Sequence, residues 1–114
     1  MEIKELANFV AEYLSEKKAE DVDIIDISEK SAFADYFVNA TGGSERQVVS
    51  LVDDVEDKLA EMKIFPKRIE GKQGKGWILM DFGDIIVNIF TREMRESYSL
   101  EKIWGDCEIT TPEK

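Results

Sequence analysis

Residues 76–90, GWILMDFGDIIVNIF, place two apolar runs on either side of Phe82-Gly83-Asp84. Glycine reaches the positive φ that tight hairpins need, so the stretch predicts two strands around a reversal. With a two-residue loop, Ile78, Met80, Phe82, Ile85, Val87 and Ile89 share one face. That face is wholly apolar and belongs against helices. The opposite face then carries Trp77, Leu79, Asp81, Ile86, Asn88 and Phe90, large apolar groups mixed with a carboxylate and an amide. An odd-numbered loop would exchange the two faces.

Working outward, two segments have the period of helices that could cover the apolar side. Ile3, Leu6, Phe9, Val10, Tyr13 and Leu14 recur at three- and four-residue spacing, which predicts an amphipathic helix ending near Lys17 and Lys18. From Ser44 a second stripe runs through Val48, Leu51, Val52, Val55 and Leu59, with acids mostly on the other side, and Pro66 marks its exit. VDIIDI at 22–27 and YFVNAT at 36–41 are short and β-branched, as strands are. RIEG at 68–71 predicts another short strand, GKQGKG at 71–76 a mobile turn, and 92–106 one or two helical turns. The order αββαβββα describes an α/β fold, a mixed β-sheet of about five strands with helices mainly on one face. A single domain over residues 1–108 is expected, followed by a flexible tail at 109–114.

Composition removes whole classes of chemistry. The chain has no histidine and one cysteine, Cys107, so serine-histidine, cysteine-histidine and zinc-histidine sites are excluded, as are intrachain disulfides. Against 15 basic residues stand 25 acidic ones, a formal net charge of −10. That charge repels nucleic-acid phosphates and favours basic protein partners, so no direct DNA binding is expected. Charges interrupt the N-terminal MEIKELANFVAEYLSEKK throughout, which fits neither a secretory signal nor a membrane span and predicts a cytoplasmic protein.

Gly42-Gly43-Ser44 invites comparison with the nucleotidyltransferase turn that grips a phosphate beside a strand-borne Asp-x-Asp pair. The carboxylates do not follow. Asp53 and Asp54 are consecutive on a helix and point in different directions, Asp81 and Asp84 flank the hairpin turn, and Asp21 and Asp23 precede the glycine turn. Ser44 and Gln47 instead match a capping box. Gly74-Lys75-Gly76 lacks the glycine spacing and the hydroxyl of a phosphate loop. No catalytic group, metal site or cofactor is expected from these residues.

Three motifs, ADYFVNATGGSERQ at 34–47, GWILMDFGDIIVNIF at 76–90 and RESYSLEKIWGD at 95–106, occur in this order and spacing. Together they resemble the Iojap-like ribosomal silencing factors, over the chain from the first helix to Asp106. The resemblance implies a nucleotidyltransferase-like fold without the catalytic carboxylates, and no enzymatic activity. It also implies binding to the large ribosomal subunit through large-subunit ribosomal protein fourteen, with steric blocking of subunit joining and lowered translation when nutrients are short. Organellar members are associated with large-subunit maturation.

Two readings of the mixed hairpin face stay open. Trp77 and Phe90 are either core beneath the last helix or part of a surface covered by another protein, since aromatic anchors with a polar fringe suit interfaces. On the second reading the partner contacts are Trp77, Leu79 and Asp81 with Tyr98, Leu100 and Trp104, and Asp84, Glu101 and Asp106 add electrostatic complementarity. The free chain is a candidate homodimer through the same face. The rival function is a nucleotide-binding enzyme using the Gly42-Gly43-Ser44 turn.

Overall fold

The structure, a computed structural model, describes residues 2–29, 32, 34–71, 76–97 and 109–110. In chain order the elements are α1 (Ile3–Glu16), β1 (Glu20–Asp26), β2 (Tyr36–Gly42), α2 (Glu45–Glu61), β3 (Arg68–Glu70), β4 (Trp77–Asp81), β5 (Ile85–Thr91), α3 (Arg92–Ser97) and β6 (Ile109–Thr110). They build one mixed sheet in the order β3-β4-β5-β2-β1-β6, in which only β2 and β5 run parallel. The expected five strands are all present. A sixth, β6, lies within the stretch read from sequence as a tail and pairs Ile109 with Ile25 and Thr110 with Ile24. Two residues carry too little alternation to register as a strand in a sequence. No helix among the described residues is long and apolar enough to cross a membrane.

The hairpin decides the layering as its sequence predicts. Gly83 (φ 93°) and Asp84 form the two-residue loop, closed by the Phe82 N–H donating to the Ile85 carbonyl at 2.9 Å. Ile78 therefore faces Ile89 across the ladder and Met80 faces Val87. These side chains join Val38, Ala40 and Ile24 from the central strands beneath α1 and α2. From α1 come Ala7, Val10, Ala11 and Leu14, and from α2 Val48, Leu51, Val52, Val55 and Leu59, all buried. Burying one such side chain contributes about 1.5–3 kcal/mol relative to exposure, so this layer supplies the main driving force for folding.

Helix ends follow local chemistry. Ser44 caps α2, its Oγ accepting from the Gln47 N–H at 3.1 Å. Gln47 reaches back one residue further than a standard capping box, its Oε1 accepting from the Gly43 N–H at 2.6 Å. Both long helices end in the same way. Lys18 (φ 69°) and Lys63 (φ 61°) turn left-handed, and the next residues, Ala19 and Ile64, donate back to Leu14 and Leu59 at 3.0 and 2.9 Å. This is the Schellman pattern with lysine at the position where glycine is least strained. At the end of β1, Asp26 accepts from the Ser28 hydroxyl and N–H, bonds that hold its carboxyl below the usual range.

Two stability measurements check these ends. Ser44→Ala is expected to cost about 1 kcal/mol in urea unfolding, while Ala at the exposed mid-helix Ser50 stays within about 0.5 kcal/mol. Lys63→Gly is expected to gain up to about 1 kcal/mol by relieving the left-handed lysine, which a rise in the thermal midpoint would register.

Candidate functional site

The sheet face turned away from α1 and α2 carries an ordered row of polar side chains. The ladder registers set Leu79 beside Asn88, Asn88 beside Asn39, and Asn39 beside Asp23, across β4, β5, β2 and β1. Asn39 Nδ2 donates to Asp23 Oδ1 at 2.9 Å, Asn88 Nδ2 to Asn39 Oδ1 at 3.1 Å, and Trp77 Nε1 to Asn88 Oδ1 at 3.2 Å. Asn39 is 1% and Asn88 2% exposed, so these bonds replace water rather than compete with it.

Arg95 of α3 closes the row. Its Nη2 donates to Asp23 Oδ2 at 2.7 Å, while Nη1 reaches the Asp21 carbonyl at 2.6 Å and Thr41 Oγ1 at 3.2 Å. A register shift in β1 between Glu20 and Asp23, with Asp21 at φ 47°, brings that carbonyl to the guanidinium. Arg92 also ties α3 to β1, its Nε donating to Glu20 Oε2 at 2.8 Å, a partnership that raises the affinity of its guanidinium for the proton. This pair lies at the surface and contributes little to stability. Among the described residues, every buried side-chain nitrogen and oxygen has a partner.

Apolar groups flank the polar row on both sides. Ile25, Phe37 and Ile86 form a second small core with Ile27 and Ala34, against which Leu79 packs half-buried. On the other side Trp77 stacks on Phe90 with ring centroids 5.2 Å apart and planes 28° from parallel. Phe90 is wholly buried, whereas Trp77 is only half-buried. The two open readings of the face therefore divide between the residues, with Phe90 as core and Trp77 at the boundary with solvent.

The residues expected at the site have separate roles. Trp77, Leu79 and Asp81 do share the face, at alternate positions of β4. Asp81, however, is occupied locally, as its Oδ1 accepts from the Gly83 N–H at 2.8 Å and its Oδ2 lies 3.6 Å from Arg68 Nε. Asp84 exposes its side chain, and its carbonyl accepts from the Asp35 and Tyr36 N–H groups at 2.8 and 3.2 Å, tying the hairpin to β2. Tyr98, Leu100, Glu101, Trp104 and Asp106 lie outside the described residues. Sequence reasoning overlooked Asn39 and Arg95, and weighed Asp23 only as a metal-gripping carboxylate. Acids and amides are depleted from strands, so Asp23 in VDIIDI and Asn39 in YFVNAT were the available signal.

The glycine-serine turn is built for packing. A Cβ on Gly42 would lie 3.0 Å from Val48 Cγ2 and 3.2 Å from the Val48 nitrogen, so glycine there permits close approach of β2 and α2. The Gly43 N–H and the Ser44 hydroxyl are already engaged with Gln47. A cavity of about 440 Å³ lies instead by α3, lined by Asp21, Val22, Asp23, Thr41, Arg92, Arg95 and Glu96. No group of three acids, cysteines or histidines among the described residues is placed to hold a metal ion.

Proteins similar in fold and sequence are known. The profile of the family described as "Ribosomal silencing factor during starvation" matches residues 1–114. The chain belongs to the ribosomal silencing factor family. Ribosomal silencing factor RsfS of Bacillus subtilis is 35% identical over 109 residues, covering 96% of this chain and 92% of that one. A mouse relative, "Mitochondrial assembly of ribosomal large subunit protein 1", is 31% identical over 94 residues, 80% of this chain and 41% of its own length. A crystal structure of a Chromobacterium violaceum protein superposes with a TM-score of 0.87 at 32% identity, covering all of this chain and 90% of the other. The likeness carried by the three sequence motifs thus extends over the whole ribosomal silencing factor chain.

The polar row makes a stability prediction. Asn39→Leu leaves the Asp23 carboxylate and the Asn88 amide each short of a partner and is expected to cost about 1–3 kcal/mol in urea unfolding. Arg68→Ala, which removes two long ion pairs made by an exposed arginine, is expected to stay within about 0.5 kcal/mol.

Proposed function

We propose that this chain is a ribosomal silencing factor acting by occupancy. It binds the large ribosomal subunit through large-subunit ribosomal protein fourteen, obstructs joining of the small subunit and so represses translation in the cytoplasm. The observation that carries this reading is the family match over residues 1–114. The names of the relatives agree with it, including the mouse protein named for assembly of the large subunit.

The docking surface we assign is the β4 part of the outer face, with Trp77 and Leu79 as its apolar anchors. Both are half-buried beside side chains that are fully packed, which leaves area for a partner to cover without reorganising the core. Tyr98, Leu100 and Trp104 extend this assignment beyond the described residues, with Asp84, Glu101 and Asp106 supplying negative charge. A net charge of −10 favours encounter with a basic ribosomal protein. Blocking a surface needs no reaction, so the function is non-enzymatic. Self-association of the free chain through the same face would compete with docking.

Co-sedimentation tests the reading. The wild-type chain is expected to pellet with purified large subunits and to prevent joining when small subunits are added. Trp77→Ala and Leu79→Asp are each expected to abolish pelleting while circular dichroism stays native. Binding retained with both changes present would rule out this surface, and a wild-type chain that stays in the supernatant would overturn the function.

A further inference from the structure

The geometry points to Arg95, Asp23, Asn39 and Asn88 as a directional relay that fixes the orientation of the Trp77 indole for docking. The direction follows from which groups can donate. A carboxylate accepts only, so Asn39 must turn its NH₂ toward Asp23, which aims the Asn39 carbonyl oxygen at Asn88. Asn88 must then give its NH₂ to Asn39 and present its own oxygen to the indole, which donates only. At the other end Arg95, again a donor only, engages the remaining carboxylate oxygen. Every amide has one satisfied orientation, and the charge on Asp23 selects it. Fixing a half-buried aromatic before binding lowers the entropy lost on association.

The relay also joins two parts of the chain. Arg95 holds α3 against β1 and β2, and α3 ends at Ser97, immediately before Tyr98. The anchor on β4 and the start of the C-terminal segment are thus tied to one carboxylate. Asp23, Asn39, Asn88 and Arg95 are positioning residues on this account, since Trp77 alone among the five is assigned to touch the partner. The inference rests on the docking role proposed for Trp77, but its geometric part can be measured without a ribosome.

Two variants of the full chain test it. Asp23→Asn preserves size and introduces a donor at the head of the relay, and Arg95→Ala removes the cation from a helix that tolerates alanine. The first readout is hydrogen exchange at the Trp77 indole N–H by NMR, assigned through Trp77→Phe. The second is affinity for purified large subunits at a temperature where all variants are folded. Both variants are expected to speed indole exchange and to weaken affinity about tenfold, and Arg95→Lys is expected to restore most of each. Unchanged indole exchange in both variants would overturn the relay, as would weakened affinity with an unmoved indole, because the effect would then run through α3 alone. Failure of the wild-type chain to bind large subunits would overturn the docking reading, while the indole measurement would still decide the relay.

Discussion

The parallel ladder between β2 and β5 is the constraint on which the rest of the molecule depends. It pairs Tyr36 with Ile85 and continues in step to Gly42 with Thr91, in the middle of the sheet. Each side chain of these strands is thereby committed to one of two very different environments. Val38, Ala40, Val87 and Ile89 enter the core under the helices, while Phe37, Asn39, Ile86 and Asn88 take the other face. A one-residue slip of β2 would put Asn39 under α1 and α2 and expose Val38 to the polar row. The apolar layer resists that slip because it would bury an amide with no partner, and the polar row resists it because Asn88 and Asp23 would lose theirs.

Polar burial on the outer face therefore has a structural consequence beyond its net energy. A buried ion pair such as Arg95 with Asp23, both side chains about nine-tenths buried, returns little stability over an apolar replacement of the same size. Its directional bonds do discriminate among registers, as an apolar cluster of similar volume would not. The small core of Ile25, Phe37 and Ile86 could slide with modest loss, whereas the chain from Asp23 to Trp77 satisfies its donors and acceptors in one alignment. On this sheet the two faces divide the labour, with one driving collapse and the other specifying the pairing.

Much of this architecture was legible in the sequence because it rests on periodicity. Residues 77–90 place two apolar runs around a single glycine, and the stripes of α1 and α2 repeat over several turns, so the layers could be inferred, with the hairpin register following once the loop was taken to have two residues. The end of α1 near Lys17 and Lys18 was legible too, but the left-handed turn that makes it, and the matching turn after α2, were not, since Lys18 and Lys63 lack the glycine that advertises such a cap. The local bond of Asp81 was hidden for a related reason, because its acceptance from the Gly83 amide is a geometric fact absent from the pattern. The relay itself is non-local: Asn39 and Asn88 are 49 residues apart, and no local signal says which distant strands will become neighbours.

A protein that acts by covering a surface, the role we propose for this chain, faces a requirement different from that of an enzyme. It needs no group with a shifted proton affinity, and a chain without histidine gives up nothing in that respect. What it needs is a face that keeps its shape while presenting apolar area to water, two demands that oppose each other because exposed apolar side chains are usually mobile. The arrangement at β4 reconciles them. Trp77 remains half-open to solvent, yet its ring rests on the fully buried Phe90 and its one polar atom is held by Asn88. Rigidity is thus supplied from beneath and from the side, and the docking we propose at Trp77 would draw on it, because an aromatic already held in place loses less entropy on association.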